Sequence, residues 1–133
     1  MDLPIVIWID SSQAKIFKFY EHEVTQTHMK PHGPIHHSQV EGKNHTQAEG
    51  DIDKFYYEVI DSLKKESLST KKDFKLLILG SGLGHTHFYH HIKESYPDLA
   101  KNILDSKKTK FLTDPQIIAK GRNFFIKAKL ISE

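Results

Sequence analysis

Pro4-Ile-Val-Ile-Trp-Ile-Asp10 is an unbroken apolar run, rich in β-branched residues and closed by an acidic turn residue. A short run of this kind predicts a central strand covered on both faces. Asp10-Ser11-Ser12 supplies turn chemistry, because their short oxygen-bearing side chains accept hydrogen bonds from nearby backbone amides. Gln13–Tyr20 then alternates, with Ala14 and Ile16 on one face and Phe17 and Phe19 on the other. After a polar turn at Glu21-His22, Glu23–Met29 is Thr-rich and suits an edge strand. Three strands this close in sequence must pair as an antiparallel meander, since a parallel crossover needs roughly a dozen residues.

Downstream, strands alternate with helices. Asp51–Glu66 carries Ile52, Phe55, Tyr56, Val59, Ile60 and Leu63 at helical spacing, forming one apolar stripe. Asp51 and Asp53 in its first turn and Lys64 and Lys65 in its last complement the helix dipole. Phe74–Leu79 is a second buried strand, parallel to the first because a helix precedes it. Gly80-Ser-Gly-Leu-Gly84 turns the chain into a helix near His85–Ser95, which Pro97 stops, and Asp98–Asn102 adds one more turn. Ile103–Lys110 is a weak, basic strand. Thr113-Asp114-Pro115-Gln116 opens a last helix, with an N-cap, a proline in the first turn and a capping box between Thr113 and Gln116. Its buried stripe is Ile117, Ile118, Gly121, Phe124, Phe125 and Ala128. The order βββ-α-β-α-β-α predicts an α/β fold: a mixed, mainly five-stranded sheet with helices on its faces.

The 133 residues suit one domain, 1–133, with too little material for two cores. Having no cysteine, the chain forms no disulfide, thiolate metal site or cysteine nucleophile. Met1-Asp-Leu-Pro lacks a basic, then apolar, leader, and no apolar run reaches the ~18 residues of a membrane span. A cytoplasmic protein with no membrane partner is the expectation. The net charge of +2 is small but uneven: residues 1–70 carry 7 Lys/Arg against 11 Asp/Glu, whereas 101–133 carry 8 against 3. That basic last quarter suits a polyanion.

Four constellations bear on chemistry. Gly80, Gly82 and Gly84 are spaced G-x-G-x-G, which departs from the dinucleotide fingerprint, so they read as a tight turn allowing close helix–strand packing. His87 and His91 lie four apart on a helix, but Phe88 follows the first where a zinc protease needs Glu, and no native metal site or other cofactor is expected. Residues 30–50 have no period and hold several histidines; His32, His36, His37, Lys43, His45 and Gln47 are the candidate functional loop. No third group orients Ser38 and His37 as a nucleophile and base, so no catalytic residue is assigned. The basic set Lys107, Lys108, Lys110, Lys120, Arg122 and Lys127 is the candidate RNA-contacting surface.

The order of these parts resembles the middle domain of the archaeo-eukaryotic class I release factors and Pelota, and more narrowly the bacterial single-domain members of that superfamily. Val6-Ile-Trp-Ile-Asp10-Ser-Ser-Gln-Ala14-Lys-Ile16-Phe17 is similar to the family's opening hairpin. Leu76-Leu-Ile-Leu-Gly80-Ser-Gly82 with Phe88 is similar to its strand–Gly-x-Gly–helix element, and Phe111-Leu-Thr113-Asp114-Pro115-Gln116 to the start of its final helix. The resemblance implies a ribonuclease H-like topology and a place in translation. In release factors, a Gly-Gly-Gln loop helps water hydrolyse peptidyl-tRNA. The corresponding loop here, His32–Gly50, has no such motif; Gln47 stands in Thr46-Gln-Ala-Glu49.

The resulting expectation is a translation-associated domain that binds ribosomal or transfer RNA in ribosome rescue, stalling or dormancy, without peptidyl-tRNA hydrolysis. No DNA partner is expected. Two alternatives stay open: a hydrolase of peptidyl-tRNA or a phosphoester using loop histidines, and a protein-interaction module, homo-oligomeric through the polar edge strand Glu23–Met29.

Overall fold

A computed structural model describes residues 2–10, 12–30, 54–65 and 73–131. The candidate loop residues His32, His36, His37, Lys43, His45 and Gln47 lie outside the described residues, as do Asp51 and Asp53. The described strands are β1 (Asp2–Ile9), β2 (Ala14–Phe19), β3 (Val24–Met29), β4 (Asp73–Gly80) and β5 (Ile103–Lys108). The helices are α1 (54–65), α2 (Gly84–Ser95), α3 (Pro97–Ala100) and α4 (Asp114–Lys127). Among the described residues, no helix is long and apolar enough to cross a membrane.

The five strands form one mixed sheet in the order β3-β2-β1-β4-β5. β1 pairs antiparallel with β2 and parallel with β4; β2 pairs antiparallel with β3, and β4 parallel with β5. The meander and the parallel return are therefore as the sequence predicts, in the expected ribonuclease H-like topology, and the sheet is not closed.

Period-2 alternation sorts the core into two layers. Ile5, Ile7, Ile9, Ala14, Ile16, Leu76 and Ile78 pack on one face against Phe55, Tyr56, Val59, Ile60 and Leu63 of α1 and Phe88 and Ile92 of α2. On the other face, Val6, Trp8, Phe17, Phe19, Leu77 and Leu79 meet Ile117 and Phe125 of α4. Each large apolar side chain buried in this way contributes about 1.5–3 kcal/mol. α4 comes close enough to do so because position 121 has no side chain: a Cβ there would overlap Val6 Cγ2 and lie 3.1 Å from Phe19 Cζ.

The helix ends follow their local chemistry. Thr113 caps α4, its Oγ1 accepting from the Gln116 amide at 3.4 Å, and Gln116 Oε1 accepts from the Thr113 amide at 2.9 Å. Asp114 Oδ1 accepts from Lys15 Nζ at 3.0 Å and its Oδ2 from Gln26 Nε2 at 3.1 Å, which ties the start of α4 to β2 and β3. Those bonds, the Lys15 contact foremost, hold the Asp114 carboxyl below its usual range.

Candidate nucleic-acid interface

The three parallel strands β1, β4 and β5 end at the same edge of the sheet, at Ile9, Gly80 and Lys108. Ligands of open α/β sheets collect at such an edge, outside the carboxyl ends of the strands. Asp10, just beyond β1, is occupied locally: its Oδ1 accepts from the Ser12 amide at 2.8 Å, Ser12 Oγ at 2.9 Å and the Gln13 amide at 3.0 Å.

Beyond β4 the glycines have separate reasons. Gly80 is needed for space, because a Cβ would overlap the Ile9 carbonyl oxygen and lie 2.5 Å from His85 Cβ. Gly82 is needed for conformation: its φ is 63°, where an L side chain is strained, and nothing lies near enough to obstruct one. Gly84 begins α2 and its carbonyl accepts from Tyr56 Oη at 3.3 Å, joining α1 to the turn. The turn therefore serves close packing, as its spacing predicts.

The structure divides five of the six basic candidates into two groups and leaves Arg122 apart. Lys107 pairs with Leu79 on the α4 side of the sheet, and Lys108 pairs with Gly80. Side chains of neighbouring strand residues point to opposite faces. Lys107 Nζ lies 3.7 Å from Asp105 Oδ2 and 5.6 Å from the centre of the Phe124 ring on α4. Lys120 and Lys127 stand four before and three after Phe124, on the same flank of the helix. Lys107 thus lies over the half-buried Phe124 ring, and helical spacing sets Lys120 and Lys127 about one turn to either side of it along α4. Lys108 instead lies close enough to His85 on α2 to repel its proton, and Lys110 is exposed on the segment that follows β5. Arg122 belongs to neither group: at ~100° per residue it stands about 200° round the helix from Phe124.

His85, which the sequence marks only as the start of a helix, has a setting of its own in the structure. It is only 7% exposed and lies in a cleft of about 350 Å³ lined by His85, Thr86 and Tyr89 of α2 and Ile103, Leu104, Asp105 and Ser106 of β5. Burial holds its pKa below the ordinary 6.5; the Lys108 charge acts in the same direction, and a hydrogen bond with the Gly82 backbone opposes both. A neutral imidazole at neutral pH follows. The linkage has a definite sign. Below about pH 6.5 the unfolded chain binds a proton that folded His85 resists, so this group's contribution is complete above 6.5 and falls as pH drops toward the folded pKa. Urea-unfolding free energies measured against pH should show that decline in the native chain. His85→Asn should flatten it.

His87 is exposed, while the His91 ring packs 5.8 Å from the rings of both Tyr56 and Tyr96. Among the described residues, no group of three His, Cys, Asp or Glu side chains is placed to hold a metal.

Phe111 is the clearest feature the sequence analysis missed. Its ring is 56% exposed, meets Trp8 edge-on at 5.4 Å, and has Lys15 Nζ 4.8 Å from its centre. The signal was present in Phe111-Leu112: neighbours in an extended segment face opposite ways, so only one of the two reaches the core. Leu112 is the one buried.

Solved structures share this architecture. Pelota from Archaeoglobus fulgidus superposes with a TM-score of 0.64 and 17% identity, over 96% of this chain and 33% of that one. The fold is one found in Pelota. The Thermoplasma acidophilum Pelota protein gives 0.59 and 17% over 99% of this chain and 35% of that one. An archaeal translation termination factor gives 0.56 and 15% over 96% and 40%. The chain thus spans between a third and two-fifths of the length of these proteins. No family model and no curated protein matches it.

Proposed function

We propose that this domain acts in translation by binding ribosomal or transfer RNA, in ribosome rescue, stalling or dormancy, and does not hydrolyse peptidyl-tRNA. The observation that carries the reading is the fold: nearly the whole chain superposes on part of Pelota and of an archaeal translation termination factor. The basic face formed by Lys107, Lys120 and Lys127 supports it, because lysines grouped on one surface favour a phosphate backbone over scattered anions. The absence of Gly-Gly-Gln from the sequence supports binding without hydrolysis.

The test is sedimentation of native lysate through a sucrose gradient at low and moderate salt, with each fraction probed for this protein. Co-migration with ribosomal particles that weakens as salt rises is the expected result. Protein found only at the top of the gradient, in growing and in starved cells alike, would count against the reading.

A further inference from the structure

We infer that Phe111 is a stacking platform for an unpaired RNA base, with Lys110 holding the adjoining phosphate. The inference rests on the RNA-binding reading above and names the place and chemistry of one contact.

A singly exposed apolar side chain is ordinary on a protein surface. Phe111 differs in how firmly its exposed position is held. Ahead of it, the Thr109 amide donates to the Gly80 carbonyl at 2.6 Å, Trp8 Nε1 donates to Thr109 Oγ1 at 3.1 Å, and that hydroxyl donates to the Lys110 carbonyl at 2.8 Å. Behind it, Leu112 is buried and Thr113 is fixed by the capping box. The backbone on both sides is pinned, so the ring is presented to solvent by a rigid segment. A platform of this kind stacks a base with little ordering cost.

Its surroundings suit a nucleotide better than an apolar protein anchor. Lys110 precedes the ring in sequence and is exposed. Lys15 lies over the ring. The nearest acid on this segment, Asp114, is occupied by Lys15 and Gln26, so its charge is largely compensated. Aromatic stacking beside a cationic phosphate contact is the recurring chemistry of single-stranded RNA recognition.

Trp8 is the chain's only tryptophan and touches the platform, which provides a built-in reporter. The experiment titrates the full chain with single-stranded oligouridylate, following Trp8 emission and the anisotropy of labelled RNA at several salt concentrations. RNA should change Trp8 emission as it binds. Phe111→Leu should weaken binding about tenfold with the salt slope unchanged, because stacking carries no counterion release. Phe111→Tyr should bind as the native chain does, and Lys110→Gln should lower the salt slope by about one. A Phe111→Leu chain that retains full RNA affinity overturns the platform while leaving the RNA-binding reading intact, and it does so even if that chain loses a protein contact. Native chain that binds neither oligouridylate nor ribosomal particles overturns both.

Discussion

Gly80→Ala should destabilise the fold by about 3 kcal/mol, at the upper end of what overpacking costs. The added methyl meets a backbone oxygen and the root of a side chain, and neither can rotate away. It would overlap the carbonyl of Ile9, the residue that Gly80 faces across the central β1–β4 pair, and lie 2.5 Å from His85 Cβ at the start of α2. The relief available is to part β1 from β4 or lift α2 from the sheet. The first route also draws the Gly80 carbonyl from the Thr109 amide and loosens the segment after β5. For a domain of this size the loss corresponds to a fall in Tm of roughly 10 °C. Gly82→Ala is the informative comparison. Nothing surrounds that position, so only the strain of positive φ is felt, about 1 kcal/mol. Urea unfolding of the two variants, with equal m-values, separates a glycine required for space from one required for conformation. Similar midpoints would refute the assignment of Gly80 to close packing.

The difference between those two glycines was not legible in G-x-G-x-G, although the general reading as a packing turn was. Legibility followed the range of the interaction. Alternation in Ala14–Phe19 places Ile16 and Phe17 in opposite layers, and the structure agrees, because a strand's faces depend on neighbouring residues alone. The Thr113–Gln116 capping box was legible for the same reason. The β5 register was not. Its pairing steps from Ile103 opposite Leu76 to Asp105 opposite Leu77, leaving Leu104 as an extra residue. A bulge on an edge strand is set by the neighbouring strand and by the chain's exit, and Ile103–Lys108 carries no mark of it. Alternation alone parts Lys107 from Lys108; the bulge decides that Lys107 is the one that joins α4 and Lys108 the one that joins α2.

Joint replacement of Lys107, Lys120 and Lys127 by Glu should lower affinity for ribosomal RNA roughly a hundredfold at low salt and reduce the log–log salt slope by about two to three. Three lost phosphate contacts account for the change in slope, and the new carboxylates add repulsion that salt screens. At high salt the variant and native curves should therefore converge. Folding should be nearly unaffected. All three side chains are exposed, and the one ion pair they make among the described residues, Lys107 with Asp105 at 3.7 Å, is a surface pair of little worth. Lys127 in the last turn of α4 favours the helix dipole, so its reversal costs a few tenths of a kcal/mol. Arg122→Glu changes charge by the same amount per site, but on the far flank of α4. If the surface around Phe124 is the contact, Arg122→Glu leaves affinity within about twofold, and a per-residue loss equal to that of the three lysines would mean that net charge alone attracts the RNA. Comparison at matched salt distinguishes a defined face from a diffuse field, because only the face ties the loss of slope to position on the helix.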